Sequence, residues 1–380
     1  MDQPVRPMIQ LFRVFNDREQ ALKNIAEVLE SGYVGQGKWC ARFEDELQAI
    51  LGSKRVLYVN SGTSALQLAY HLAGVGPGTE VISTPITCLA TNAAIVALGA
   101  RIVWADVDKD IGNIDPEDVL RQVTHRTRAI VGVDWGGRVC NFAMLRKLTR
   151  GITLIEDAAH AFHPSGEYAR SPSEHGDFIC YSFQAIKLLN TADGGALVCP
   201  SDATLERARL LRWFGLDRTR SDAMRCYQPV SEAGWKMQGN DVLAAIGCAN
   251  LPHALDLAGK HAVNAKALDA ALRDVPYIRL PPRDPAGTYW LFTLLVSSPA
   301  RFEAFAAERG VMASQVHSRN DVYGCFREFR RGDLPGVDAF AGHQVSIPVG
   351  WWLDASQLAQ VVQTVQDWAK TPEARWTPEP

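Results

Sequence analysis

Val56-Leu57-Tyr58-Val59-Asn60-Ser61-Gly62-Thr63-Ser64-Ala65 is the stretch on which the fold turns. Four apolar, strand-favouring residues run into a turn of small polar ones, and helical sequence follows over 65–72. The alternation continues to about residue 200. Strands are expected at 81–83, 101–105, 129–133, 153–156, 178–182 and 196–198, and a helix at 91–98. Asp115-Pro116-Glu117-Asp118 opens a further helix, with the aspartate as N-cap and proline in the first turn. Strand–helix alternation of this kind predicts an α/β fold, a mostly parallel sheet covered on both faces. In such sheets ligands bind beyond the carboxyl ends of the strands.

After residue 200 the pattern changes. Helices are expected at 203–213, at 241–251 behind the cap Asn240, and at 253–273. Beyond Pro276 comes a second unit with a strand at 290–296, a helix at 299–309 and a last helix at 355–368. Pro281-Pro282 marks its linker. The expected division is a large domain over 1–250 with an N-terminal arm and a smaller α/β domain over 251–370, opened by a long linking helix. The tail over 371–380, with three prolines, is expected to be loose.

The 380 residues suffice for two domains with a large core. At 47% hydrophobic and 21% charged, with a net charge of −3, the chain has no general attraction for nucleic acid or anionic membrane. No early apolar stretch resembles a signal peptide, and no run reads as a membrane span. The eight cysteines, at 40, 88, 140, 180, 199, 226, 248 and 325, form no CxxC pair, which fits reduced thiols in a cytoplasmic protein.

Three segments carry chemistry. Cys180-Tyr181-Ser182-Phe183-Gln184-Ala185-Ile186-Lys187 places a lysine just past an apolar strand and before Asp193-Gly194-Gly195. A lysine among apolar neighbours loses its proton more readily and can act as an amine nucleophile or base. Leu154-Ile155-Glu156-Asp157 ends another strand in acid. The Ser61-Gly62-Thr63-Ser64 turn offers backbone amides, hydroxyls and a helix dipole to a phosphate, with Ser182 as a second donor. Lysine, strand-end aspartate and phosphate turn together point to pyridoxal phosphate. The lysine would bind its aldehyde carbon, the aspartate would pair with its ring nitrogen, and the turn would hold its phosphate. Asp157, His160 and His163 also spell D-x-x-H-x-x-H, but Pro164 interrupts any helix that would gather them on a metal, and no metal is expected. The chain has no G-x-x-x-x-G-K-[ST]. Gly35-Gln36-Gly37 and Gly74-Val75-Gly76-Pro77-Gly78 lack the strand–glycine–helix context of a dinucleotide site.

Together these segments resemble the DegT/StrS family of nucleotide-sugar aminotransferases. The likeness runs from Gly32-Tyr33-Val34-Gly35-Gln36-Gly37 to Ser346-Ile347-Pro348. It is strongest at Ser61-Gly62-Thr63-Ser64-Ala65-Leu66, at Glu156-Asp157-Ala158-Ala159-His160-Ala161, and at Ser182 to Lys187 with Asp193-Gly194-Gly195. It implies a fold-type I pyridoxal-phosphate-dependent transferase, with a seven-stranded, mostly parallel sheet in the large domain and a homodimer with shared active sites. It implies Lys187 as the covalent cofactor lysine, Asp157 at the ring nitrogen and His160 at the ring hydroxyl. Gly62, Thr63 and Ser182 match phosphate contacts.

Two positions depart from the family's pattern. Cys88 stands where many members carry an aromatic that stacks on the cofactor, and Lys236 where an asparagine often reaches the neighbouring subunit's phosphate. The polar run His317-Ser318-Arg319-Asn320-Asp321 offers His317, Arg319 and Asn320 as sugar contacts. The reaction implied moves an amino group from an amino acid, L-glutamate by analogy, to a keto sugar. That acceptor is expected to be a nucleotide-linked 4-keto-6-deoxy sugar of surface-polysaccharide or antibiotic biosynthesis. Two alternatives stand beside it. One is a sugar dehydratase or isomerase of the same family, which Lys187 disfavours because such members can carry histidine there. The other is a non-enzymatic regulatory protein on the same fold.

Overall fold

The structure, a computed structural model, describes residues 8–162, 171–220, 224 and 227–376. Two helices come first, α1 (Arg18–Glu30) and α2 (Lys38–Leu51). The alternating region follows as β1 (Val56–Val59), α3 (Gly62–Leu72), β2 (Glu80–Ser83), α4 (Leu89–Ala97), β3 (Arg101–Trp104), α5 (Pro116–Gln122), β4 (Thr127–Val133), α6 (Phe142–Leu148), β5 (Thr153–Asp157), β6 (Phe178–Ser182) and β7 (Gly195–Val198). These seven strands form one sheet in the order β1-β7-β6-β5-β4-β2-β3. Only β7 runs against its neighbours, β1 and β6, so β1, β5 and β6 end on the same edge.

Strand alternation builds a core on each face. In β1, Leu57 and Val59 pack with residues of α3 and α4, while Val56 and Tyr58 pack with α2 and with α8 (Asp241–Asn250). After β7 come α7 (Asp202–Leu211) and α8, and a short turn joins α8 to α9 (Ala254–Leu272). The second unit adds β8 (Phe292–Leu295), α10 (Pro299–Glu308), α11 (Pro335–His343), β9 (Gln344–Ile347) and α12 (Ala355–Trp368). Its core lies between the antiparallel β8–β9 pair and helices α9, α10 and α12.

Three expectations from the sequence need correction. The strand expected at 290–296 begins two residues later, because Thr288 and Leu291 donate instead to the carbonyls of Gly137 and Gly136 and tie the second unit to the large sheet. The tail is not loose over 372–376. Ala374 is fully buried, Ser297 Oγ donates to the Glu373 carbonyl at 2.7 Å, and Trp376 Nε1 donates to the Tyr277 carbonyl at 2.9 Å. Residues 377–380 lie outside the described part. The helical run Asp241–Leu272 is long and apolar enough by composition to cross a membrane, yet Ala244, Ala245, Leu251, Ala265, Leu268 and Leu272 fill the two cores.

Packing also crosses the division expected at 250/251. Ile9 of the N-terminal arm lies in the second unit's core, while Phe326, Phe329, Val337 and Phe340 pack into the core beneath the large sheet. The seven described cysteines are all free, and Cys226 is outside the described residues.

Helix α2 has no cap of its own, since Gly37 precedes it. The buried Asp241 carboxylate supplies one, accepting from the N–H groups of Gly37 at 2.7 Å, Cys40 at 3.0 Å and Trp39 at 3.3 Å. Asp241→Ala leaves these donors buried without an acceptor, and a loss of about 2–3 kcal/mol is expected. Unfolding midpoints in urea check this; Asp241→Asn, which keeps one acceptor oxygen, should recover part of the loss.

Candidate active site

The site forms where β1, β5 and β6 end. Ser61 caps α3, its Oγ accepting from the Ser64 N–H at 3.1 Å, while Ser64 Oγ donates to Asn60 Oδ1 at 2.6 Å. Both serines are therefore spent inside the turn, and the N–H groups of Gly62 and Thr63 remain to meet an anion at the helix start. The turn presses on Ser182. A Cβ built on Gly62 would lie 2.9 Å from Ser182 Cβ, and one on Gly195 would lie 2.5 Å from the Ser61 carbonyl carbon. A side chain would collide at both positions, with Ser182 at Gly62 and with the Ser61–Gly62 backbone at Gly195.

The last two residues of β5 point to opposite faces. Glu156 accepts from the Gly176 N–H at 2.9 Å on one side. On the other, Asp157 is 2% exposed, its Oδ2 accepting from Thr91 Oγ1 at 2.6 Å and its Oδ1 from the Ala159 N–H at 3.1 Å. Burial raises its pKa, against the bonds from Thr91 and Ala159 and the charge of Lys187. Such a carboxylate has room for a cationic hydrogen-bond partner that would hold it ionised.

Lys187 closes a tight turn after β6, its N–H donating to the Gln184 carbonyl at 2.8 Å. The residue as a whole is half-buried, but its amine is sheltered, with Nζ 3.6 Å from the centre of the Trp290 ring. Burial lowers its pKa to about 8, with the Cys88 thiol and Asp157 pulling the other way. Cys88 itself precedes α4, three residues before Thr91. His160 is 3% exposed and its Nδ1 accepts from the Gly136 N–H at 3.4 Å, which puts the proton of the neutral ring on Nε2. Nε2 lies 3.3 Å from His317 Nε2, and the two rings are stacked, 9° from parallel. Burial holds His160 well below the usual histidine range, and with the charge of Lys187 it brings His317 to about 4.

Of the residues expected from sequence, Gly62, Thr63, Ser182, Asp157, Lys187, His160 and Cys88 converge, and His317 joins them from the second unit. Arg319 and Asn320, expected as sugar contacts, have their polar groups engaged within the protein. Arg319 is engaged by Asp321 through two bonds of 2.7 Å and by Asp338. Asn320 is wholly buried. Its Nδ2 donates to the Thr87 carbonyl at 2.7 Å, its Oδ1 accepts from Asn92 at 2.9 Å and its N–H donates to Pro85, so it braces the loop leading to Cys88. Lys236 is exposed, with its carbonyl 3.4 Å from Asn60 Nδ2 beside the turn. His163 and Pro164 are outside the described residues, among which no group of His, Cys, Asp or Glu could hold a metal. Sequence reasoning missed Thr91, Gly195 in its close contact with the turn, and Trp290. Trp290 lies at the start of an apolar run, where core packing is the ordinary reading.

The residues fit pyridoxal phosphate: a glycine-floored anion turn, a buried carboxylate short of a cationic partner, and a sheltered amine of lowered pKa. Residues 16–366 match the model of the DegT/DnrJ/EryC1/StrS aminotransferase family. The spore coat polysaccharide biosynthesis protein SpsC of Bacillus subtilis is 33% identical, over 93% of this chain and 95% of its own. The dTDP-4-dehydro-2,3,6-trideoxy-D-glucose 4-aminotransferase of Saccharopolyspora spinosa is 33% identical, over 94% of this chain and 96% of its own. The crystal structure of AtS13 from Actinomadura melliaura superposes with a TM-score of 0.89 at 39% identity, covering 96% of this chain and 99% of that one.

Gly62→Ala should spread the turn from Ser182 and weaken cofactor binding about tenfold or more, the equivalent of one lost hydrogen bond to an anion. Titration of the apoprotein with pyridoxal phosphate, followed by absorbance, measures this. Unchanged affinity would remove the turn from the phosphate site.

Proposed function

The chain belongs to the DegT/DnrJ/EryC1/StrS aminotransferase family, and from that premise we propose a transamination in which Lys187 is the reactive amine. The enzyme is a pyridoxal-phosphate-dependent sugar aminotransferase of the α/β fold-type I class. Its donor is an amino acid, L-glutamate on family analogy, and its acceptor a keto sugar, nucleotide-linked. The observation that carries the reading is the sheltered Lys187 amine beside the buried Asp157 carboxylate, at the same sheet edge as the Gly62–Thr63 turn.

When bound, pyridoxal phosphate supplies an electron-poor ring that takes up the electron pair left when a proton leaves the carbon next to nitrogen. The roles of the chain's residues follow from their chemistry. Gly62 and Thr63 N–H groups, the α3 dipole and Ser182 Oγ would hold the phosphate. Asp157, fixed by Thr91 and Ala159, would accept a hydrogen bond from a protonated ring nitrogen, and its buried charge would keep that proton in place. Lys187 would hold the cofactor through its amine, and the same amine would take and return a proton at the substrate carbon, as base and then acid. A pKa of about 8 lets one amine serve both steps near neutral pH. His160, neutral, would offer Nε2 to the ring hydroxyl. Cys88 would supply no aromatic stacking to the ring. Lys236 would serve the phosphate of a neighbouring subunit as a point charge.

The working form is a homodimer with shared sites, in the cytoplasm. His317 is the one member of its polar run that remains a candidate substrate contact. A dehydratase or isomerase reading is disfavoured by the lysine itself.

Lys187→Ala is expected to abolish the visible absorbance of the bound cofactor and to lower amine transfer from glutamate by about 10²–10⁴-fold or more. Formation of 2-oxoglutarate in the presence of a nucleotide-linked keto sugar is the assay. Turnover near that of the unsubstituted protein would remove Lys187 from the chemistry, and sugar dehydration without amine transfer would favour the other reading.

A further inference from the structure

Trp290 belongs to none of the motifs that bring the site together, yet four of its contacts converge there. It is 3% exposed and sits at the junction where residues 288–291 pair with Gly136 and Gly137. Its Nε1–H donates to the carbonyl of Ile186, the residue before the lysine, at 2.9 Å. Its ring centre lies 3.6 Å from Lys187 Nζ. Phe12 of the N-terminal arm stacks on it at 4.9 Å and 23°, and His160 lies against it at 4.3 Å and 31°. An indole packed against two rings and anchored by its own N–H has little freedom to turn its face from the amine.

We propose that Trp290 is a positioning residue for Lys187: its indole face holds the ammonium of the lysine while its N–H fixes the backbone that carries it. The inference rests on the assignment of Lys187 as the cofactor-binding amine. A cation over an aromatic face is favoured electrostatically, most strongly where water is excluded. The neutral amine gains much less, so the indole opposes the effect of burial and raises the pH at which Lys187 loses its proton. The other titratable groups around this amine are Asp157 at the end of β5 and Cys88 before α4, which favour the ammonium, His160 and His317, which are neutral and feel its charge, and Arg13 of the N-terminal arm and His261 of α9, which line the same pocket. The indole face is the only one of these contributions that a leucine at position 290 removes directly.

The test needs no substrate turnover. Apoprotein is mixed with pyridoxal phosphate at pH values from 6 to 11. Lys187 Nζ forms a C=N bond to the aldehyde carbon with loss of water, and borohydride delivers hydride to that carbon while the nitrogen takes a proton. The reduced adduct at Lys187 is then quantified by peptide mass. Only the neutral amine adds, so the capture rate rises with pH to a plateau. The cofactor's own ionisations are common to all the proteins compared.

Trp290→Leu is expected to shift the midpoint down by about one pH unit. Trp290→Phe, which keeps a weaker ring but loses the N–H, should shift it by less than half as much. A midpoint unmoved in Trp290→Leu, with capture slower at every pH, would reduce Trp290 to packing and overturn the proposal. So would Trp290→Phe moving as far as Trp290→Leu. Absence of any Lys187 adduct in the unsubstituted protein would instead sink the functional reading, and the inference with it.

Discussion

A carboxylate without a full complement of partners, buried at the end of a parallel strand, is the constraint around which this molecule is arranged. Asp157 has two acceptor bonds and the charge of Lys187 to offset the loss of water, and burial still dominates its protonation. A group like this destabilises the empty protein unless a cation comes to it. The sheet edge supplies the remaining pieces of a receptor for such a cation. The turn after β1 carries unspent amides, and the loop after β6 carries an amine that burial has made easier to deprotonate. Binding of a ring with a protonated nitrogen and a phosphate would relieve both ends at once, and structural cost and ligand specificity would then have the same origin.

The second unit takes part in the site. His317 stacks on His160, Trp290 covers Lys187, and Asn320 is wired into the loop that leads to Cys88 and Thr91. These contacts cross between segments far apart in the chain, and packing in the two cores crosses the same line through Ile9 and Phe326. The lysine's surroundings therefore depend on how the two units meet as well as on the sheet.

Much of this was legible from residues alone. Strand alternation, the Asp115-Pro116 cap, the Asn240 cap and the strand-end position of Asp157 are local signals, and each appears in the structure within a few residues of where it was expected. What stayed hidden was long-range. Trp290 reads as an ordinary core aromatic until the fold lays it over an amine 103 positions earlier. Arg319 and Asn320 look like open polar groups until Asp321, Asp338, Thr87 and Asn92 take up their hydrogen bonds. A side chain's chemistry was readable; whether it was already occupied was not.

The capping of α2 by Asp241 has a consequence for synthesis. The carboxylate lies 204 positions beyond Gly37, the first backbone donor it serves. At ordinary rates of translation, an interval of that length takes on the order of 10–40 s. Throughout it the first turn of α2 has only water as an acceptor for its amides, and the face carrying Trp39, Phe43 and Leu47 waits for α8 to arrive. The amino-terminal helices are thus among the last parts of the large unit to settle, and on a nascent chain they are the parts that chaperones and proteases meet first.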